Sequence, residues 1–318
     1  IASFLSIKIL INIVITFMKN SILLLIILFS FLNCTEKVTT KIEKPDLKKE
    51  IEKIIAGKNA TVGVSVLDFE TNKSIDINGE KKLPMLSVFK FHIALAVLDL
   101  VDHGKLNLDQ KIFIKKEELL ENTHSPIRDK FPNGNIEMPL SELIKYTVAG
   151  SDNNGCDILL RLIGGTETVQ KFINNKGIKN FTIKADEAQM HKSYEFMYWN
   201  VSTTNDSNLL LKNFYYGKVL SKASTDFLLK TMIETTTGTT KIVAQLPKNI
   251  KVAHKTGSSG KNEKGLTIAE NDIGIIELPN GKHYAISAFV SDSMESEETN
   301  TKMIADISRL VFDYFSKN

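Results

Sequence analysis

The stretch "LSVFKFHIALAVLDLVDHGKL", residues 86–106, constrains the architecture more than any other part of the chain. Wound as a helix, entered after Pro84 and left at Gly104, it carries apolar residues on nearly all sides. Such a helix must be surrounded by other elements, so it predicts the centre of a core rather than a surface rod. A chain of 318 residues, 42% hydrophobic, can build that core in one large domain or two lobes.

The flanking patterns favour two lobes. "LKKEIEKIIAG" has helical spacing and a Gly57 stop, after which "TVGVSVLDF" and "KSIDI" alternate like strands. Helical patterns fill the middle: "LSELIKYTVAG", "GCDILLRLI", "TETVQKFINNKG", "TNDSNLLLKNFYYG" and "STDFLLKTMIE". Strand patterns return in "KVAHKTG", "NDIGIIEL" and "HYAISAFV", the last two joined through Asn280-Gly281, a strong hairpin signal. A closing helix, "ETNTKMIADISRLVFDYF", follows. The expected architecture is therefore α/β: residues 45–83 and 236–318 form an antiparallel sheet flanked by helices, and residues 84–235 an all-helical lobe. The cleft between them is the natural small-molecule site.

Ahead of this lies "MKNSILLLIILFSFLNC": Met18, the basic Lys19, an apolar run over residues 22–32, then Cys34. That is the layout of a secretory signal peptide, with residues 1–17 as an upstream extension. The segment resembles a bacterial lipoprotein signal, in which Cys34 would be lipidated, and residues 35–44 suit a tether. Cys156 is the other cysteine, so no internal disulfide framework exists, and its apolar neighbours predict packing rather than catalysis. The net charge is only +3 and arginine is confined to Arg128, Arg161 and Arg309, which argues against nucleic-acid binding. The six histidines form no His-x-His-x-Asp cluster and no paired helical ligands, so no metal is implied.

Four short stretches carry the chemistry. Ser87-Val-Phe-Lys90 opens the buried helix, where spacing of three brings Lys90 within reach of the Ser87 hydroxyl. The helix start favours an anionic nucleophile and its oxyanion, and burial favours a neutral Lys90 able to accept a proton. Ser151-Asp-Asn153 leaves a helix through a turn; a serine there could relay a proton and the Asn153 amide could hold a substrate amide. Locally, Ser151 and Asp152 read equally well as helix caps. Lys255-Thr-Gly257 ends a strand, offering Lys255 and Thr256 to a carboxylate and a close backbone approach at Gly257. Between them, "ADEAQMH" places Glu187 in a polar stretch without clear period. The second Ser-x-x-Lys match, Ser258 to Lys261, lies in a Gly/Ser loop and reads as chance.

Together, in this order, the motifs resemble the signature set of class A serine β-lactamases and their penicillin-binding relatives, over residues 44 to 315. "SDNNGCDILL", "DEAQMH", "ETTTGTT" and "AHKTG" are similar to the branch that includes the PER, VEB, CepA and CfxA enzymes. The resemblance implies a periplasmic, monomeric hydrolase of β-lactams, without cofactor, touching a membrane only through its signal peptide or a lipid anchor. It implies Ser87 as nucleophile, Lys90 or Glu187 as acylation base, Ser151 as proton relay, and Glu187 as activator of the deacylating water. Lys255, Thr256, Gly257 and Ser258 would bind the substrate, with Asn153 on its amide and the Ser87 and Ser258 N–H groups as oxyanion hole. Ile273 stands where most relatives have arginine, so Lys241 is the expected substitute cation. His124 falls at the aromatic gate of the cleft, and His191 replaces the asparagine that helps hold the water. Ala185 replaces the arginine that anchors the Glu187 loop, so the loop must be held otherwise. A DD-peptidase shares the serine and lysine motifs but lacks a deacylating acid, and a fold-only binding module would have lost part of the set.

Overall fold

The computed structural model describes residues 7–19 and 46–317, in two units divided near Lys44. In the first, residues 7–19 form an exposed helix, α1. The expected Cys34 lipid site, the apolar run over residues 22–32 and the tether lie outside the described residues. No helix among the described residues is long and apolar enough to cross a membrane.

The second unit begins with α2 (Leu47–Ile55), capped by the Asp46 carboxylate. Then come β1 (Thr61–Asp68), β2 (Ser74–Ile77) and β3 (Leu83–Pro84), followed by a single 3-10 turn, Leu86–Val88, that runs into α3 (Phe89–Asp102). The middle holds β4 (Lys111–Ile114), α4 (Pro126–Lys130), β5 (Ile136–Pro139), α5 (Leu140–Val148), α6 (Asn153–Ile163) and α7 (Thr166–Asn175). It continues with α8 (Glu187–Lys192), α9 (Tyr194–Met197), β6 (Val201–Ser202), α10 (Thr204–Tyr215) and α11 (Lys222–Ile233). The chain closes with β7 (Val252–Ser258), β8 (Thr267–Glu277), β9 (His283–Ser293) and α12 (Glu297–Ser316).

A five-stranded antiparallel sheet, ordered β2-β1-β9-β8-β7, joins the two ends of this unit. Alternation decides its faces. Val62, Val64, Val66, Ile286, Ala288 and Val290 point to one side, where Ile51 of α2 and Ile304, Ile307 and Val311 of α12 cover them. Ala253, Ile273, Ile275, Ala285 and Phe289 point to the other and join the helical core. The helix α3 lies inside that core, with Phe89 to Leu98 all buried, as its all-round apolar pattern demands. Each fully buried Leu, Phe or Ile there contributes about 1.5–3 kcal/mol relative to exposure.

Two features correct the expected all-helical middle. Ribbons β4–β5 and β3–β6 interrupt the helices; "KIFI" alternates exposed and buried residues, but four positions are too few to stand out among helical patterns. In addition, α10 packs on β1, β8 and β9 and α11 on β7, so the middle segment shares one core with the inner face of the sheet. The Asn280-Gly281 hairpin forms as expected, with Gly281 at φ +78° and its N–H donating to Leu278 O.

Candidate active site

Ser87 sits in the short turn rather than on the α-helix itself. Leu86 adopts φ +46°, a left-handed conformation that costs a non-glycine residue on the order of 1–3 kcal/mol. Neighbours hold the strain in place. The Asn271 amide donates to Pro84 O (2.7 Å) and Met85 O (3.1 Å), and Met85 N–H donates to Asn200 O (2.9 Å). A Cβ on Gly257 would lie 2.4 Å from Met85 O and 3.1 Å from the backbone nitrogens of Ser87 and Val88. The glycine expected to admit a substrate backbone is thus first required by the turn that carries Ser87.

Beneath Ser87, Lys90 is fully buried and its ammonium is divided among three acceptors. It lies 2.9 Å from Glu187 Oε1, donates to Ser151 O at 2.8 Å, and donates to Asn153 Oδ1. The Ser87 hydroxyl donates to the same Glu187 oxygen at 3.5 Å. Among the described residues Lys90 makes no hydrogen bond to Ser87, so the direct lysine–serine contact expected from helical spacing is replaced by one through Glu187. The Asn153 amide is also occupied, its Nδ2 donating to Thr123 Oγ1 at 2.6 Å.

The loop carrying Glu187, which lacks an arginine at Ala185, is held by two side chains that sequence reading missed. Asn200, fully buried, accepts from Lys184 N–H (2.8 Å) and Ala185 N–H (3.0 Å) and donates to Ala185 O (2.7 Å). Asp157, on α6, accepts from the N–H groups of Glu187 (2.8 Å) and Ala188 (2.9 Å), at the start of α8. Asp186 caps α8 in a reciprocal box with Gln189. His191 is exposed one turn beyond Glu187 and makes no hydrogen bond to it. A signal for Asp157 did exist: it follows Ser-Asp-Asn by one helical turn.

Burial pushes the Asp157 carboxyl up from its ordinary value of 3.8 to about 7, and the neighbouring charges of Glu187 and Asp186 add to the rise against its two N–H bonds. The folded protein therefore keeps this proton from about pH 4 to 7, while the unfolded chain releases it. Stability contributed by this group falls as pH rises through that window and is level above it, with a slope of at most about 1.4 kcal/mol per pH unit. Asp157→Asn should remove that slope, so the variant gains on the parent between pH 4.5 and 6.5. Urea unfolding at several pH values checks this; parallel curves for the two proteins would sink it.

Ser151 stands at φ +57° on the opposite wall. Its hydroxyl accepts from Lys255 Nζ at 2.9 Å, and that ammonium also donates to Thr256 O. Burial, then the charges of Lys90 and Lys241, holds Lys255 well below the ordinary lysine range. Asp152 is structural: it caps α6 and accepts from Ile127 N–H and Ser125 Oγ, tying α4 to α6, and burial raises its carboxyl. His124 is exposed at this turn, donating through Nε2 to Gly150 O at 2.8 Å. The segment after α11 runs beside β7 and pairs with it through side chains, Thr235 with His254 O, Thr237 with Thr256 Oγ1, and Lys241 with Ser258 Oγ. Lys241, expected to offer its charge to substrate, is buried and ion-paired with Glu270 at 2.5 Å. Cys156 is buried in the helical core, as expected, and burial raises its thiol well above the ordinary value.

A serine on a strained turn, with a buried lysine and a glutamate converging on it and a second serine–lysine pair opposite, defines a serine acyl-transfer hydrolase. The chain belongs to the β-lactamase enzyme family, whose family model matches residues 46–315, and it is a class A hydrolase that opens the β-lactam ring. It is 46% identical to β-lactamase VEB-1 of Pseudomonas aeruginosa, over 87% of this chain and 93% of that one. The extended-spectrum β-lactamase PER-1 of the same organism is 40% identical, over 86% and 89%. Among solved structures, the TLA-3 extended-spectrum β-lactamase is similar at a TM-score of 0.84 and 53% identity, covering 85% of this chain and 98% of that one.

Proposed function

We propose that Ser87 opens the ring by attacking its carbonyl carbon, forming an ester as the carbon–nitrogen bond breaks. The Ser87 proton leaves toward Glu187 and Lys90, which share one oxygen contact beneath the hydroxyl. Ser151, fed by Lys255, delivers a proton to the departing ring nitrogen. The N–H groups of Ser87 and Ser258 receive the oxyanion, a device whose loss typically costs a factor of about 10²–10³. Substrate carboxylate is met by Lys255 and Thr256; among the described residues Lys255 makes no ion pair with a carboxylate, so an arriving anion would favour its charged form. Lys255 recovers its proton from the Glu187–Lys90 pair, so Glu187 is ionised again; it then draws a proton from water, whose oxygen attacks the ester carbonyl, and passes that proton to Ser87 Oγ as the ester bond breaks.

One observation carries this reading: Glu187 Oε1 lies within 3.5 Å of Ser87 Oγ, where a deacylating base must stand. The substrates are penicillins and cephalosporins; the extended-spectrum descriptions of PER-1 and TLA-3 support the second class. The signal pattern supports export to the periplasm, with Cys34 as the point of lipid attachment. Turnover of a penicillin and of an extended-spectrum cephalosporin, measured side by side on purified protein, tests the substrate range. Many equivalents of ring-opened product are expected from both, and a cephalosporin left intact would remove that half of the reading.

A further inference from the structure

The Ser258 end of β7 is organised differently from the Thr256 position two residues earlier. Thr256 Oγ1 pairs with Thr237 Oγ1 at 2.7 Å, so Thr237 can donate to it and leave the Thr256 proton for a substrate. Ser258 has no such freedom. Its hydroxyl donates to Glu270 Oε1 at 2.7 Å and accepts from Lys241 Nζ at 2.9 Å, which uses its single proton. Glu270 stands directly across from Ser258 in the β7–β8 register, and the same Oε1 holds the Lys241 ammonium at 2.5 Å. Lys241 and Glu270 are almost completely buried, whereas Ser258 is exposed. Lys241 is further fixed by Asn271 O at 3.0 Å. An anion reaching Ser258 therefore meets a hydroxyl with no proton to give, over a cation already neutralised.

We propose that Glu270 is a specificity-determining positioning residue, holding Lys241 and the Ser258 proton away from the substrate carboxylate so that this end of the site binds anions weakly. The inference rests on the β-lactam reading above. It identifies Glu270, rather than the absence of an arginine at Ile273, as what sets how strongly the substrate's carboxylate is recognised. Removing the glutamate charge uncovers the ammonium and frees the hydroxyl; removing the lysine charge leaves a carboxylate facing the substrate's own.

The test compares a penicillin with its methyl ester, which keeps the ring and lacks the anion, as a ratio of kcat/KM values. In Glu270→Gln the acid-to-ester ratio should rise about tenfold, the equivalent of one well-placed charge contact. In Lys241→Gln it should fall by a similar factor. A purely structural role would depress both substrates together and leave the ratio where it was, so an unchanged ratio in either variant overturns the inference. Its failure is separable from failure of the β-lactam reading: the parent's own turnover of the penicillin would stand in the first case and be absent in the second, which removes both.

Discussion

Glu187→Gln is expected to stop the enzyme after acylation and leave a stable adduct on Ser87. The substitution preserves shape and the backbone contacts to Asp157, which involve the N–H of residue 187 and not its side chain. What it removes is the basic oxygen that faces Ser87 Oγ at 3.5 Å. Loss of a positioned general base costs roughly 10²–10⁴ in rate. If that loss falls on deacylation, intact-protein mass spectrometry after mixing with a penicillin should show one covalent equivalent persisting. The rate at which the adduct forms also discriminates between the two acylation bases, because a slow build-up assigns that step to Glu187 and a fast one to Lys90. Parental turnover in the variant would be incompatible with the role given to Glu187.

Lys90→Met should fail at the opposite step. Methionine keeps much of the apolar stem volume inside α3 but supplies no charge. Glu187, only 11% exposed, would lose its cation, and Ser151 O and Asn153 Oδ1 would lose their donor. Breaking a buried pair from one side costs about 3–5 kcal/mol, so a clear fall in thermal midpoint is expected. Acylation should drop by about 10²–10⁴, with no adduct accumulating on Ser87. The double variant Lys90→Met/Glu187→Gln should be more stable than the sum of the singles predicts, because neither partner is then left as a lone buried charge. Strict additivity in that cycle would show that the two groups do not stabilise one another.

Much of the fold follows from period alone. The all-round apolar pattern of α3 leaves it nowhere to go but the core, and the alternation in β1, β8 and β9 can bury both faces only in a covered sheet. Short elements escape such reading: β4 and β5 have four residues each and owe their pairing to one another rather than to a strong local pattern. The serines and lysines of the candidate site are legible because their spacing is itself the motif, and Glu187 only through its place between those motifs. Their supports are not. Asp157, Asn200, Glu270 and Thr237 act through contacts across 12 to 31 residues, which no local pattern encodes. The same reason explains the pairing at Lys241: as an isolated residue it reads as a free cation, and only the folded chain supplies Glu270 as its partner.

The most direct measurement is steady-state hydrolysis of a chromogenic cephalosporin by the purified protein, with Ser87→Ala run beside it. Sustained turnover is expected at roughly 1–10³ s⁻¹, the ordinary range of kcat, and should vanish in the serine variant. A single burst equal to the enzyme concentration, followed by nothing, would describe a protein that acylates and cannot deacylate, and would contradict the account.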